Sequence, residues 1–336
     1  RSSKDFSKNE GKEVTVQGLV ANKREGKTLV FLVLRDGSGF AQCVINEDSV
    51  EAGAYADAKQ LTAESAVELK GTVVKDEKQV GGYELQVSRL QVISIAEVYP
   101  ISPKEHGDSF LADHRHLWLR SKRQWAIMRI RNEIIHAIHN FFQSEGFVQM
   151  DAPIFTGNAC EGTSDLFETE YFDKTAYLTQ SGQLYGEAMA MAMGKIYTFG
   201  PTFRAEKSRT RRHLTEFWMM EPEMAFYDNE QNMDLIEKML NSVLSDVLEK
   251  CQSEFEIIER DTEMLKKSVV KFPRITYDEA VAILKGEQDV DGKNAIRTLK
   301  ADMEEVKVNM ESVSAEIRSE ERRVGKECRS RWSTDH

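Results

Sequence analysis

Between residues 12 and 98 the chain carries short runs rich in Val, Ile and Leu, at 14–20, 28–35, 41–45, 67–74, 83–87 and 90–95. Such runs favour strands, because branched side chains pack well on a pleated surface. Turn signals separate them, including Arg24-Glu25-Gly26-Lys27, Asp36-Gly37-Ser38-Gly39 and Gly81-Gly82. A helical stretch at 51–61 falls between the third and fourth runs. Five or six strands with one helix, in fewer than a hundred residues, leave room for a small all-β domain and little else.

That count fits the small Greek-key barrel called the OB-fold, with a generic all-β domain as the alternative. Residues 1–98 are read as this domain. At 336 residues the chain has room for a second one. Its 40% hydrophobic and 30% charged residues describe a globular chain, not a disordered one. Charges interrupt every apolar run before the roughly 18–20 residues that a membrane helix needs. The N-terminal RSSKDFSKNEGKE has no apolar core of a secretory signal. Cys43, Cys160, Cys251 and Cys328 are scattered, with no CxxC pair to suggest zinc or a disulfide framework. A cytoplasmic location without membrane contact is expected.

Residues 99–120 read as a hinge, since Tyr99-Pro100-Ile101-Ser102-Pro103 suits neither ladder nor helix. Beyond it, Trp125, Met128, Ile134, Ile135, Ile138, Phe141 and Phe142 recur at helical spacing, and Gly146 stops the helix. Short strands with one helix near 185–193 follow over 167–226, then an amphipathic helix at 232–250. There is no regular βαβ alternation, no GxGxxG after a strand and no GxxxxGK[ST], so the common nucleotide cradles are absent. Ile296, Leu299, Met303, Val306, Met310, Val313 and Ile317 alternate by three and four. That is a coiled-coil seam, read either as a helical arm over 287–317 or as one long surface helix. The last nineteen residues, RSEERRVGKECRSRWSTDH, follow no period and are read as a non-native tail over 318–336.

Lys and Arg number 45 against 56 Asp and Glu, a formal net charge of −11. Positive charge nevertheless concentrates at 115–131 and 207–212, so phosphates could be held locally. The densest chemistry lies in Phe199-Gly200-Pro201-Thr202-Phe203-Arg204-Ala205-Glu206, followed by a loop and Thr215-Glu216-Phe217. Arg204 and Glu206, two apart on a strand, would share a face. The loop carries Lys207, Arg209, Arg211, Arg212 and His213. This set can grip a polyphosphate through guanidinium forks, or it is a solvated hairpin with surface ion pairs.

The pattern resembles motif 2 of the class II aminoacyl-tRNA synthetases. Residues 141–155, FFQSEGFVQMDAPIF, resemble their motif 1, a helix ending at Gly and leading to a strand with Pro. Residues 178–187, LTQSGQLYGE, and Glu161-Gly162-Thr163-Ser164 look like amino-acid-binding segments of the aspartyl, asparaginyl and lysyl branch. The barrel in front matches that branch's domain order. The resemblance covers about residues 12–284. It implies an α+β protein: an OB-fold barrel for the anticodon, then an incomplete class II antiparallel-sheet catalytic domain over 121–286, bearing the helical arm.

It also implies residue roles. Arg204 would be the catalytic clamp on the α-phosphate of ATP and the substrate carboxyl, Glu206 would orient the nucleotide, Arg212 and His213 would meet its terminal phosphates, and Phe217 would stack on adenine. Glu161, Ser181 and Gln183 would surround the amino acid. Aspartyl enzymes carry a Lys where Gly186 stands and an Asp where Glu221 stands. Glu221 can accept a hydrogen bond from a carboxamide N–H₂ but would repel a carboxylate, so L-asparagine is favoured over aspartate. Arg24, Phe31 and Gln42 fall where the family's barrel grips the anticodon, although Phe31 could instead point inward. The histidines of DHRHLWLR, residues 113–120, read as structural or RNA-proximal, and no metal ligands are assigned.

The implied activity is asparagine activation by ATP and transfer to tRNA(Asn), in a homodimer formed through motif 1. Rivals are an aspartyl enzyme of relaxed tRNA choice, a catalytically inactive tRNA-binding paralogue and an ATP-dependent ligase that makes asparagine from aspartate. Motif 3, with its Arg, and the acidic Mg²⁺ ligands that precede it in the family have no counterpart in the sequence. Asparagine-dependent ATP–pyrophosphate exchange by this polypeptide is therefore expected to fall far below an ordinary rate, and robust exchange would contradict that.

Overall fold

The computed structural model describes residues 3–332 except 80, 103, 160–164, 208, 209, 211 and 291. Two compact units divide the chain at residues 127 and 128. The first opens with a 3-10 helix, Ser3–Asn9, and is built on a closed barrel. Its strands are β1 (Glu13–Glu25), β2 (Leu29–Arg35), β3 (Phe40–Asn46), β4 (Ala66–Lys75) and β5 (Tyr83–Ser94), in the order β1-β2-β3-β5-β4 with β1 closing onto β4. Helix α1 (Ala54–Gln60) joins β3 to β4 and buries Ala54, Tyr55 and Ala58 against the barrel. Alternation does the sorting: Val30, Leu32 and Leu34 of β2 are buried while the residues between them face outward.

Five strands form where six runs were possible. The runs at 83–87 and 90–95 fuse into β5, because it pairs in parallel with β3 and antiparallel with β4. Lys70 pairs with Arg89 and Gly71 with Val87, so Ser88 is the extra residue of a bulge. Gly71 is required there, since a Cβ would run into the Gln86 carbonyl.

The stretch expected to be a plain hinge contains two short helices, α2 (Asp108–Asp113) and α3 (Arg115–Trp118). It is tied to the barrel by Glu64, which sits at φ 71° before β4. The buried carboxylate takes two hydrogen bonds from Arg35, at 2.9 and 2.8 Å, and one from Arg120 at 2.7 Å. Tyr99 Oη donates to the Leu117 carbonyl at 2.9 Å. Burial pushes the Glu64 carboxyl up, but hydrogen bonds and charge from Arg35 and Arg120 outweigh it and hold the group below its ordinary value.

The boundary between units falls within α4 (Lys122–Ser144). In the second unit, β10 (Lys195–Phe203) pairs antiparallel with β11 (Glu216–Met224), and β6 (Val148–Gln149) runs parallel to β10. A smaller sheet holds β7 (Phe155–Thr156), β8 (Glu168–Tyr171) and β9 (Lys174–Leu178) in the order β7-β9-β8. One face of the β10–β11 pair presents Tyr197, Phe199, Met220 and Met224. These pack with Ile138, Phe141 and Phe142 of α4 and with Leu235 and Met239 of α6 (Asn229–Lys250). Tyr197 is fully buried, and its hydroxyl meets His139 Nδ1 at 2.8 Å. The other face takes α5 (Gln183–Met193), whose Gly186 lies over Glu223 and Ile196.

Helix α6 starts at a capping box between Asp228 and Gln231. Short helices α7 (Gln252–Ile257) and α8 (Glu263–Lys267) precede α9 (Tyr277–Lys285), which has a second capping box at Thr276 and Glu279. Helix α10 (Ala295–Trp332) carries the heptad seam and continues beyond residue 317. Leu299, Met303, Val306, Met310 and Val313 are all exposed along it. Among the described residues no helix is long and apolar enough to cross a membrane.

The Glu64 junction yields a measurable expectation. Glu64→Ala leaves Arg35 without its partner and should lower the stability of the N-terminal unit by about 3–5 kcal/mol in denaturant unfolding. Because the folded-state pKa lies below the unfolded one, this contribution is present above the unfolded value and lost as pH falls through the folded one. The gap between wild type and variant should therefore close on acidification.

Candidate active site

The site grows from the β10–β11 hairpin. Residues 217, 219, 221 and 223 of β11 alternate away from the packed face, as do 196, 198, 200 and 202 of β10. Beyond Phe203 the sequence expectation needs correction: Arg204 and Glu206 are not on the strand but in the segment just past its end. One further rung, from the Arg204 N–H to the Thr215 carbonyl at 2.9 Å, carries the ladder on before the chains part. The sequence that follows, from Lys207 to His213, is basic and polar and cannot bury itself, so the pairing opens there.

That opening brings five expected residues together. Arg204, Glu206, Arg212, His213 and Phe217 line one cavity of about 750 Å³, with Leu214 and Thr215 completing it. His213 Nδ1 is hydrogen-bonded to the Thr210 hydroxyl. The cavity thus combines guanidinium and imidazole donors, one carboxylate and an aromatic face, groups suited to phosphates and a flat base. Arg209 and Arg211 lie outside the described residues, as does Glu161.

A second group converges at the N-terminus of α5. The Ser181 hydroxyl donates to Glu221 Oε2, and the Gly182 N–H donates to Glu221 Oε1 at 2.9 Å. Ser181 Oγ in turn accepts the Gln183 N–H at 3.0 Å, and the Gln183 side-chain amide donates to Glu187 at 3.1 Å. The segment before it is fixed by the sheet, with the Phe203 N–H donating to the Thr179 carbonyl at 2.8 Å. Ser181, Gln183 and Glu221, separated by up to forty positions, are thus linked through hydrogen bonds, while Gly186 one turn on faces Glu223 and Ile196. Glu221 also lines a cavity of about 230 Å³ with Thr198, Gly182 and Ala152.

Thr198, Glu187 and Glu223 escaped the sequence reading. Glu223 was accessible to it, because two residues beyond Glu221 on a strand is the same face. Thr198 needed the register that sets it opposite Glu221. Burial, then the charges of Glu187 and Glu221, push the Glu223 carboxyl above its ordinary value.

On the barrel, Arg24, Phe31 and Gln42 occupy neighbouring strands. Arg24 pairs with Phe31 across β1 and β2, its guanidinium 5.8 Å from the ring centroid, and Gln42 pairs with Val33 across β2 and β3. Phe31 alternates with the buried Val30 and Leu32, so it lies outside the barrel core. Gln42 Nε2 donates to Glu84 at 3.0 Å.

Known families match both parts of the chain. The family described as tRNA synthetases class II (D, K and N) matches residues 108–328, and an OB-fold nucleic acid binding domain matches residues 14–93. The chain belongs to the class II tRNA synthetases. Among solved structures of this family, asparaginyl-tRNA synthetase from Pyrococcus horikoshii complexed with asparaginyl-adenylate is 38% identical at a TM-score of 0.76, over 84% of this chain and 66% of that one. Asparaginyl-tRNA synthetase from Entamoeba histolytica, also in complex with asparaginyl-adenylate, is 30% identical at a TM-score of 0.64, over 74% of this chain and 58% of that one. Aspartyl tRNA synthetase from Entamoeba histolytica shares the fold at 24% identity and a TM-score of 0.67, over 86% of this chain and 63% of that one. The chain spans about two thirds or less of the length of these synthetases.

Class II synthetases use ATP with magnesium. Among the described residues no group of three or more His, Cys, Asp or Glu is placed to hold a metal ion.

The close approach of α5 to the sheet gives the site a stability test. A Cβ at Gly182 would lie 2.9 Å from Thr198 Oγ1 and 3.2 Å from Ala152 Cβ, whereas one at Gly200 meets nothing within 4 Å. Gly182→Ala should cost about 1–3 kcal/mol by overpacking. Gly200→Ala should leave the thermal midpoint nearly unchanged.

Proposed function

We propose that this synthetase is an asparagine–tRNA ligase. Its carboxamide-bearing substrate would attack the α-phosphorus of ATP through its carboxylate oxygen, releasing pyrophosphate and forming asparaginyl-adenylate. The asparaginyl group would then pass to the terminal adenosine of tRNA(Asn). No covalent enzyme intermediate is needed, since positioning and charge neutralisation supply the catalysis. Arg204 neutralises the α-phosphate, Glu206 orients the nucleotide, Arg212 and His213 take the leaving phosphates, and Phe217 stacks on adenine. Their shared cavity supports these roles.

The single observation that carries the choice of amino acid is the surroundings of Gly186. Where a lysine would be needed to meet a carboxylate, the helix presents a bare glycine towards Glu223 and Ile196, and Glu221 is held nearby by Ser181 and Gly182. Neither Glu221 nor Glu223 has an ion-pair partner among the described residues. An N–H₂ group can donate to such carboxylates, and a second carboxylate cannot. Gln183 and Ser181, with Glu161, complete the pocket in this reading.

Arg24, Phe31 and Gln42 on one outer face of the barrel support recognition of an anticodon base by stacking and hydrogen bonds. A homodimer through motif 1 accords with the exposed Met128 and Ile134 on α4. Binding rather than turnover tests the assignment. Non-hydrolysable sulfamoyl analogues of asparaginyl- and aspartyl-adenylate, titrated calorimetrically into the whole chain, should show the asparaginyl analogue bound more tightly. Arg204→Ala should weaken it by about 100-fold, the scale of one lost charge-stabilising group. Preference for the aspartyl analogue would overturn the assignment.

A further inference from the structure

The basic cavity past β10 holds donors of two kinds. Every nitrogen of the Arg204 and Arg212 guanidinium groups carries a proton, so either can donate to a phosphate oxygen from several directions. His213 differs, because a neutral imidazole has one N–H, and the partner of one ring nitrogen decides whether the other carries it. A phosphate oxygen only accepts. A histidine whose Nε2 lacked its proton would repel what the arginines attract.

Thr210 supplies the partner that decides this. Its hydroxyl is hydrogen-bonded to His213 Nδ1, and the His213 N–H reaches the Thr210 carbonyl at 3.5 Å, so the two residues are joined twice. Nε2 is left as the ring nitrogen that can meet another group. A carbonyl or carboxylate at Nδ1 could only accept, keeping the proton of the neutral ring on Nδ1 and off Nε2. A hydroxyl donates to the neutral ring and accepts from the charged one, so Nε2 stays a donor in both. The β-branch of threonine also narrows the directions its hydroxyl can take. Thr210 itself is exposed and does not line the cavity, so any effect on a bound phosphate passes through the imidazole.

We propose that Thr210 is a positioning residue for nucleotide binding: it keeps the His213 proton on Nε2, as a donor for the terminal phosphates of ATP. The proposal rests on the reading of His213 as a phosphate ligand and adds what makes that ligand dependable. Its effect is confined to nucleotides with more than one phosphate, since the α-phosphate falls to Arg204. A contact that only shaped the loop would act on AMP and ATP alike.

The test is calorimetric titration of ATP and of AMP into the full chain, for wild type, Thr210→Val, Thr210→Ser and His213→Ala. Valine keeps the shape and removes the hydroxyl, and serine returns it. The ratio of the ATP to the AMP dissociation constant should rise about fivefold in Thr210→Val and stay near wild type in Thr210→Ser. His213→Ala should raise it at least as much. Nitrogen NMR shifts of the imidazole at about pH 8, assigned by the signal lost in His213→Ala, should show the Nε2–H form in wild type and Thr210→Ser, and both tautomers in Thr210→Val. An unchanged ratio or an unchanged tautomer in Thr210→Val, with His213→Ala still raising the ratio, overturns the proposal and leaves the His213 reading standing. A ratio unmoved by His213→Ala, or no ATP binding by wild type, overturns that reading and the role of Thr210 with it.

Discussion

The antiparallel pairing of β10 with β11 divides the second unit into a packed half and a reactive half. Each strand alternates, so the pairs Tyr197–Pro222 and Phe199–Met220 face α4 and α6, while Thr198–Glu221 and Ile196–Glu223 face α5. Apolar burial on the first face stabilises the hairpin by roughly 1.5–3 kcal/mol for each large side chain. That stabilisation lets the second face hold groups that do not favour folding. A one-residue slip would exchange the faces, driving Glu221 and Glu223 into the Phe142 and Tyr197 cluster. Register, more than any single contact, keeps the chemistry in place.

The same logic explains how a chain of net charge −11 can carry an OB-fold of the nucleic-acid-binding kind. The barrel's inward residues are apolar and fully used by the core, so its outward positions are free to vary. On β1 and β2 these positions place a guanidinium over an aromatic ring, at 5.8 Å. A base could displace or extend that stack without disturbing the core. Net charge governs long-range attraction, whereas this contact is local and desolvated on binding.

Period-two strands and period-three-and-four helices were legible because burial imposes those periods directly: Val30, Leu32 and Leu34 point inward as their spacing indicates, and the heptad run is helical. The hydrogen-bonded group of Ser181, Gln183 and Glu221 was within reach only through the resemblance, since no local rule joins positions forty residues apart. Features set by tertiary pairing were not legible. The fused β5 depends on two neighbours that supply its hydrogen bonds, β3 before the Ser88 bulge and β4 on both sides of it. The helices within 99–120 depend on Arg120 and Tyr99 docking near the barrel. Arg204 and Glu206 were placed on a strand because alternation says nothing of where a ladder ends. The strand stops where the charged loop can no longer be covered.

On the asparagine reading proposed above, the carboxylates on the α5 face of the hairpin set substrate choice against fold stability. Burial opposes the charge on Glu223, and each neighbouring carboxylate opposes it further. An apolar residue at position 223 would relieve that repulsion and pack against Ile196, its register partner. On that reading an incoming carboxylate, which must also shed its water, would feel the repulsion more strongly than a neutral amide. Selectivity of this kind needs no extra contact to the favoured substrate; it needs a cost the wrong substrate cannot avoid. Gly186 belongs to the same reading, because a basic side chain there would offset the charge of Glu223, whose stem it faces.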